Sequence, residues 1–185
     1  MTPLIDAVLN GVYDDVLNLL IGGTNPNEVD EEWGTTALFI ATEFANFEIA
    51  KLLIQYGANP NLGVISALFQ SIFSNQSILT KLYLANGGDP NLFQSGTTIL
   101  HLATFYSYFT AVQEILFTNV NVNAKDNVGN VALHYSVYKN NYNISQALIA
   151  KKSDPTIKSN RGKSPLDYAC FFGLNDIVKL MKGEK

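Results

Sequence analysis

The sequence predicts an all-α solenoid of stacked helix-turn-helix units joined by β-turn fingers, and two markers that recur in phase carry this prediction. A repeat period of about 20 to 50 residues indicates an architecture in which each unit packs on its neighbours. The first marker is a three-residue segment that ends in leucine, with a hydrophobic residue or proline before the leucine. It occurs at Thr2-Pro3-Leu4, Thr36-Ala37-Leu38, Ser66-Ala67-Leu68, Thr98-Ile99-Leu100, Val131-Ala132-Leu133 and Ser164-Pro165-Leu166.

The second marker follows about 25 residues after each of the first five starts, so both markers keep one period near 33 residues. It reads Asn25-Pro26-Asn27, Asn59-Pro60-Asn61, Asp89-Pro90-Asn91, Asn121-Val122-Asn123 and Asp154-Pro155-Thr156. Two independent markers with one period indicate about six repeats.

Each repeat is predicted to begin with a short helix, for example over residues 36–44. The Thr or Ser of the first marker can accept a hydrogen bond from a free backbone N–H at the helix start. Pro3 and Pro165 fall in the first helical turn, where the missing N–H costs nothing. After a break, the spacing of Ile49, Leu52 and Leu53 predicts a second helix with one apolar face.

Glycines mark the end of the second helix and the turn that follows. Gly57 provides a left-handed helix stop, and Pro60 lies just beyond it. A second group of glycines precedes the next helix cap, where a tight β-turn needs a positive φ. These glycines are Gly34, Gly96, Gly129 and Gly162.

These residues resemble the ankyrin repeat, whose pattern is a glycine, then Thr-Pro-Leu-His-x-Ala, a Leu-Leu pair and Gly-Ala-Asp-x-Asn. Repeat four carries it as Gly96-Thr97-Thr98-Ile99-Leu100-His101-Leu102-Ala103. The resemblance implies one domain over residues 1–185, with repeats at about 1–30, 31–63, 64–93, 94–125, 126–158 and 159–185, the first and last acting as caps. Repeat three lacks about three residues in its turn, at Gly63-Val64-Ile65, so we expect a shortened finger.

Composition narrows the classes of function. Hydrophobic residues make up 47% of the chain, which is enough for a core, and the net charge of -4 with a pI near 5.1 argues against a nucleic-acid partner. No apolar run is long enough for a membrane span, and the first residues lack a basic start, so no signal peptide is expected. The single cysteine, Cys170, favours a reducing, cytoplasmic location and is expected to be buried in the core.

No residues form a recognisable catalytic, metal or cofactor motif, so we expect neither an enzyme nor a bound cofactor. His101 and His134 occupy the same position in neighbouring repeats. The resemblance implies that this histidine is structural and bonds the backbone of the adjacent turn.

The resemblance also implies that a partner protein binds the concave surface made by the turns and the ends of the first helices. Reading those positions along the chain gives a stripe rich in aromatic residues, which supply much of the energy in interfaces. Packing of these rings between adjacent helices is the alternative interpretation. The candidate residues are Trp33, Thr35, Glu43, Phe44, Phe73, Ser95, Thr97, Phe105, Tyr106, Val128, Asn130, Tyr138, Lys139, Arg161, Phe171 and Phe172.

The expected role is that of a monomeric adaptor, inhibitor or targeting protein. In composition the chain resembles small ankyrin proteins of intracellular bacteria. A second hypothesis is therefore that the protein is an effector delivered into a host cytosol. A different hypothesis makes the chain a substrate of asparaginyl hydroxylation, at Asn123 first and Asn61 second, as the resemblance implies. Hydrogen bonding within the turns is the alternative interpretation of these asparagines.

Overall fold

A computed structural model describes residues 2–184 and contains twelve helices in that range, arranged as six helical hairpins. The predicted all-α repeat fold is therefore confirmed. Contacts group the chain into two compact units, Met1–Asp89 and Pro90–Lys185, called unit 1 and unit 2 below. The prediction of a single domain stays a prediction. No helix in residues 2–184 is long and apolar enough to cross a membrane.

Unit 1 contains three hairpins built in two layers. Its helices are α1 (Pro3–Asn10), α2 (Tyr13–Ile21), α3 (Ala37–Glu43), α4 (Phe47–Gln55), α5 (Ala67–Phe73) and α6 (Ser77–Ala85). The first helices pack in the order α1, α3, α5, and the second helices pack in the order α2, α4, α6. Because each hairpin packs mainly on its neighbours in sequence, the unit grows by adding repeats, as in other solenoids.

Each first helix of unit 1 begins where the sequence predicts it. The side-chain oxygens of Thr2, Thr36 and Ser66 accept hydrogen bonds from the backbone N–H three residues later, at 3.1 to 3.3 Å. A cap of this kind contributes about 1 kcal/mol to helix stability. The leucine that ends each marker is buried, so one short segment sets both the helix start and the core residue.

The centre of unit 1 holds a buried polar pair that the sequence did not reveal. Tyr83 on α6 is fully buried, and its hydroxyl lies 2.6 Å from the Thr42 hydroxyl on α3. Thr42 in turn donates to the carbonyl of Leu38 at 2.7 Å. Burial raises the pKa of Tyr83, so the phenol stays protonated and its hydrogen-bonding capacity is used inside the core.

The β-turn finger of repeat three is irregular, as its shorter sequence predicts. Residues 62–66 form a turn without strand pairing, whereas Val29 and Thr36 of the preceding finger form a β-bridge. Val64 donates its backbone N–H to the Gly34 carbonyl at 3.0 Å, which joins the two fingers. Gly34 has φ +66°, and a Cβ there would lie 2.4 Å from Cγ2 of Val64, so both the backbone and this contact favour glycine.

Unit 2 contains a two-stranded finger followed by three hairpins. Its elements are β1 (Phe93–Gln94), β2 (Thr97–Thr98), α7 (Ile99–Phe105), α8 (Phe109–Leu116), α9 (Ala132–Tyr138), α10 (Tyr142–Ala150), α11 (Pro165–Phe171) and α12 (Asn175–Lys182). The strands pair antiparallel, and both loop residues, Ser95 and Gly96, have positive φ. That conformation is the one a two-residue hairpin turn requires.

Candidate functional site

The ends of the first helices in unit 2 bring most of the predicted aromatic residues to one surface. Phe105, Tyr138 and Phe171 are the last residues of α7, α9 and α11. Because α7, α9 and α11 pack side by side, equivalent residues of successive repeats become neighbours. Each helix thus adds its last turn to a common surface.

Five rings form this surface, which we call the aromatic surface: Phe105, Tyr135, Tyr138, Tyr168 and Phe172. The Phe105 and Tyr135 ring centroids lie 5.8 Å apart, and Tyr168 lies 5.0 Å from Tyr138 and 6.0 Å from Phe172. These separations are favourable for aromatic pairs: the first pair is edge-to-face, the second is tilted and the third is stacked. Phe105, Tyr138 and Phe172 nevertheless keep 41%, 41% and 45% of their area exposed. The rings therefore pack against each other and still present area to solvent.

Tyr135 and Tyr168 belong to this surface, although the sequence analysis did not select them. Both lie directly after the histidine position of the repeat, one helical turn before the residues that were selected. Their rings are half-buried: Tyr135 contacts Phe105, and Tyr168 contacts both Tyr138 and Phe172. The signal was a tyrosine at the same position in two successive repeats.

The finger of repeat five is fixed to the aromatic surface through Asp126. The buried Asp126 carboxylate accepts the backbone N–H of Val128 at 3.0 Å and of Asn130 at 2.8 Å, and it also accepts the Tyr135 hydroxyl. Burial, followed by the hydrogen bond to Asp126, raises the pKa of Tyr135. These bonds hold Val128 and Asn130, both predicted finger residues, near Tyr135 of α9. Val128 is exposed and Asn130 is half-buried.

Basic side chains border the aromatic surface. The Lys139 ammonium lies 4.3 Å from the centroid of the Phe105 ring, a cation–π contact. The Arg161 charge acts on Tyr138, whose pKa is raised to about 12 because burial and the hydrogen bond with Tyr168 outweigh that charge. Tyr138 is therefore a neutral hydrogen-bond donor at physiological pH.

The remaining predicted residues of unit 2 lie on its fingers and helix ends. Phe171 is 81% exposed, and Arg161 and Ser95 are exposed, whereas Thr97 is half-buried in β2. Tyr106 is exposed at the end of α7, where its ring stacks on Tyr108 at 5.4 Å.

In unit 1 the predicted residues are exposed at their finger and helix ends. Trp33 is 65% exposed, and its backbone N–H donates to Asp30 at 2.9 Å, which fixes the turn beneath it. This bond is the main reason that the pKa of Asp30 is lowered. The other candidates of unit 1 are exposed Glu43, Phe44 and Phe73 and half-buried Thr35.

The two histidines are buried and tie each first helix to the next finger, as the sequence analysis predicted. Nε2 of His101 lies 3.0 Å from the carbonyl oxygen of Asn130, and Nε2 of His134 lies 3.1 Å from that of Lys163. A carbonyl oxygen only accepts, so Nε2 carries the proton in both rings. Burial lowers the pKa of each imidazole. In residues 2–184 no group of three or more His, Cys, Asp or Glu side chains could hold a metal ion.

The prediction that Cys170 is buried was wrong, since its side chain is exposed. The equivalent residues one and two repeats earlier, Val137 and Thr104, are buried by the hairpin that follows each of them. Among the described residues no hairpin follows α12, so Cys170 is left uncovered.

The asparagines of the second marker join neighbouring repeats. Asn61 donates its side-chain N–H to the Gly87 carbonyl at 2.8 Å and accepts the Asp89 backbone N–H at 2.8 Å. Asn123 likewise donates to the Lys152 carbonyl at 3.4 Å and accepts from the Asp154 N–H at 2.8 Å. Both halves of each amide are thus engaged. Hydroxylation at these residues stays an alternative hypothesis.

Comparison with known proteins shows where this architecture recurs. A family model described as ankyrin repeats in three copies matches residues 4–94, 68–159 and 100–185. The chain is similar to a crystal structure of an ankyrin repeat domain from Acinetobacter baumannii, with 27% identity, a TM-score of 0.90 and coverage of 99% of this chain and 98% of that one. A second crystal structure of an ankyrin repeat protein gives a TM-score of 0.86 at 26% identity, with the same coverage.

Curated relatives are longer proteins that share this region. An ankyrin repeat protein of Acanthamoeba polyphaga mimivirus is 28% identical over 84% of this chain and 24% of its own length. The mitochondrial disaggregase of Homo sapiens is 27% identical over 97% of this chain and 25% of its own length. Neurogenic locus notch homolog protein 1 of Homo sapiens is 27% identical over 80% of this chain and 6% of its own length. The chain thus spans a quarter or less of these relatives.

Proposed function

This chain belongs to the ankyrin-repeat family, and from that premise we propose that it is a non-catalytic module that binds a partner protein through the aromatic surface and fingers of unit 2. Ankyrin repeats are general protein-interaction modules, and the repeat fold by itself transfers no specific partner. The proposal therefore rests on this chain's own residues. We further propose that the protein acts as a monomeric adaptor, inhibitor or targeting subunit in a reducing, cytoplasmic compartment. Delivery into a host cell as an effector stays a prediction from composition.

The observation that carries the proposal is the partial exposure of rings that are already held in place. Phe105, Tyr138 and Phe172 each keep more than a third of their area exposed while contacting other rings. A ring fixed before binding loses little conformational freedom on association, so more of its burial energy appears as affinity. Aromatic residues are the ones that most often dominate interface energies.

The fingers contribute a second, polar part of the surface. The hydrogen bonds of Asp126 to Val128 and Asn130 fix the finger of repeat five before any partner arrives. A rigid loop beside rigid rings is the arrangement that favours specific rather than adaptable binding.

The test is capture of partners from candidate host and self lysates by the full chain and by two matched double variants. Phe105→Ala with Phe172→Ala removes two rings of the aromatic surface. Phe109→Ala with Phe117→Ala removes two exposed rings outside the aromatic surface, at the start of α8 and just after its end. We expect the first variant to lose a captured protein that the second retains, with equal helicity by circular dichroism. Equal capture by all three proteins would overturn the proposal.

A Trp33→Ala variant addresses the candidate residues of unit 1 separately. The side chain is 65% exposed, so its loss should leave the fold intact. Loss of capture with this variant alone would place the interface on unit 1 and contradict the assignment to unit 2.

A further inference from the structure

The two compact units of the chain carry opposite charge. Residues 1–89 hold two Lys or Arg side chains and ten Asp or Glu, a formal charge of −8, whereas residues 90–185 hold ten and six, a formal charge of +4. These values account for the net charge of -4 of the whole chain. A basic unit within an acidic chain draws anionic groups towards one part of the protein.

Within unit 2 the positive charge borders the aromatic surface. The Lys139 ammonium lies over Phe105, and the Arg161 charge is close enough to act on Tyr138. The charges of Lys163 and Lys158 act on Asp167, which directly precedes Tyr168 in the sequence. Basic groups therefore flank the rings on the finger side and at the helix ends.

The carboxylates of the same region are already used within the protein. Asp126 accepts two backbone N–H groups and the Tyr135 hydroxyl. Asp167 accepts the backbone N–H of Ser164 at 2.9 Å and caps α11. Asp126 is thus engaged by three donors, and Asp167 is engaged by the N-terminus of α11.

We propose that the aromatic surface binds an acidic polypeptide segment of another protein, one that also carries an aromatic side chain. This deepens the proposed function and rests on it. Carboxylates of the segment pair with Lys139 and Arg161. The aromatic side chain of the segment packs on the exposed faces of Phe105, Tyr138 and Phe172.

Two other occupants fit parts of this surface. Unit 1 of a second copy offers Glu31, Glu32 and Trp33, but its finger is folded on Asp30, which accepts the N–H groups of Glu32 and Trp33. Single-stranded nucleic acid also stacks on rings beside basic groups, but its affinity depends on neutralising many phosphates, whereas Lys139 and Arg161 suit two carboxylates. Both are outcomes of the test.

The experiment uses the full chain and a fluorescein-labelled random copolymer of glutamate and tyrosine, followed by anisotropy. Polyglutamate tests the need for the ring, a lysine–tyrosine copolymer tests the sign of the charge, and oligothymidylate tests nucleic acid. We expect the glutamate–tyrosine copolymer to bind most tightly. Its affinity should fall steeply between about 0.1 M and about 1 M salt, where the Debye length drops from about 10 Å to about 3 Å.

Charge reversals locate the site. Lys139→Glu with Arg161→Glu should weaken binding of the glutamate–tyrosine copolymer about tenfold, since two attractions become repulsions. Lys151→Glu with Lys179→Glu makes the same change in net charge at the ends of the second helices α10 and α12, and it should leave affinity nearly unchanged. Circular dichroism establishes that both variants fold.

Each other outcome overturns the proposal. No copolymer binding, or equal weakening by both charge reversals, excludes an acidic segment at this surface. Tighter binding of oligothymidylate assigns the surface to nucleic acid. Sedimentation showing self-association that Trp33→Ala abolishes assigns it to a second copy. If the copolymer fails while the Phe105→Ala, Phe172→Ala variant still loses a captured partner, protein binding stands and only the acidic partner is wrong.

Discussion

The Tyr135 hydroxyl donates a hydrogen bond to the Asp126 carboxylate, and this bond joins the aromatic surface to the finger of the same repeat. Asp126 also accepts two finger N–H groups. One buried carboxylate therefore fixes both the loop and a ring of the proposed interface.

Tyr135→Phe should destabilise the protein while keeping the ring in place. The substitution removes only the donor to a buried carboxylate, and hydrogen bonds to charged groups contribute about 1.5 to 3 kcal/mol. Urea denaturation followed by circular dichroism measures the change in the free energy of unfolding. Tyr142→Phe, at the exposed start of α10, is the matched control and should be close to neutral. Equal stability of the two variants would contradict the role assigned to Asp126.

The buried histidines should make stability fall below neutral pH. Burial lowers the pKa of His101 and His134 below the ordinary value near 6.5, so the unfolded chain binds protons first. The stabilisation is complete above about pH 6.5 and is lost as the pH falls through the lowered pKa values. Protonation of His134 would also set an N–H against the Val131 N–H that Nδ1 now accepts.

The measurement is the urea midpoint as a function of pH, for the wild type and for a His101→Gln, His134→Gln variant. The variant should be less stable at neutral pH and should show a shallower fall between about pH 6.5 and about pH 5. Parallel pH profiles would mean that other groups cause the loss.

Removing the cross-repeat amide of Asn123 should destabilise unit 2. Asn123→Ala deletes a donor to Lys152 and an acceptor from Asp154, and we expect a loss of about 1 to 2 kcal/mol. Asn143→Ala, on the exposed face of α10, is the control and should be neutral or slightly stabilising, because alanine is the better helix former. A neutral Asn123→Ala would show that water replaces both bonds.

The same engagement bears on asparaginyl hydroxylation. The amides of Asn61 and Asn123 are bonded across repeats, so an enzyme that modifies them would have to break these bonds. We expect no added oxygen by mass spectrometry after incubation with such a hydroxylase. Added oxygen on either residue would support the hypothesis that the chain is a hydroxylase substrate.

The contact between the fingers of repeats two and three should make Gly34→Ala lower the free energy of unfolding more than a glycine substitution elsewhere. At Gly162 the φ is +73° and nothing lies near a new Cβ, so Gly162→Ala measures the backbone strain alone, on the order of 1 kcal/mol. At Gly34 the new Cβ also meets the Val64 side chain, so we expect Gly34→Ala to cost more than Gly162→Ala.

A double-variant cycle tests this contact. Adding Val64→Ala to Gly34→Ala should recover the part of the loss that this contact causes, whereas Val64→Ala alone should change stability little, since Val64 is 73% exposed. Additive effects of the two substitutions would mean that the fingers do not touch in this way.

The repeat fold was predictable because the helix caps, the core leucine and the turn glycines of each repeat are determined by a few adjacent residues. Thr36 caps α3 and Leu38 is buried, and both properties are local to a three-residue marker. Tyr83 and Thr42 were not predictable, since they lie 41 residues apart and meet only when α5 and α6 pack on α3 and α4. Cys170 was misjudged because its burial depends on a following hairpin, which a local pattern does not report.

The proposed interface was predictable in outline. Phe105, Tyr138 and Phe172 follow from their places at the ends of the first helices, and the structure brings the last two together. Tyr135 and Tyr168 were missed because the sequence analysis took only the last two positions of each helix. Side chains lean towards the preceding turn of a helix, so a ring at the helix end packs back on the ring one turn earlier, as Phe172 does on Tyr168.

The exposed thiol of Cys170 gives the protein a natural position for a spectroscopic label. It is the one cysteine of the chain, and it lies beside Phe171 and Phe172 on α11. A thiol-reactive fluorophore would therefore attach at one place without any substitution, close to the rings of the proposed interface. A change in its emission would report whether an acidic segment binds at the aromatic surface.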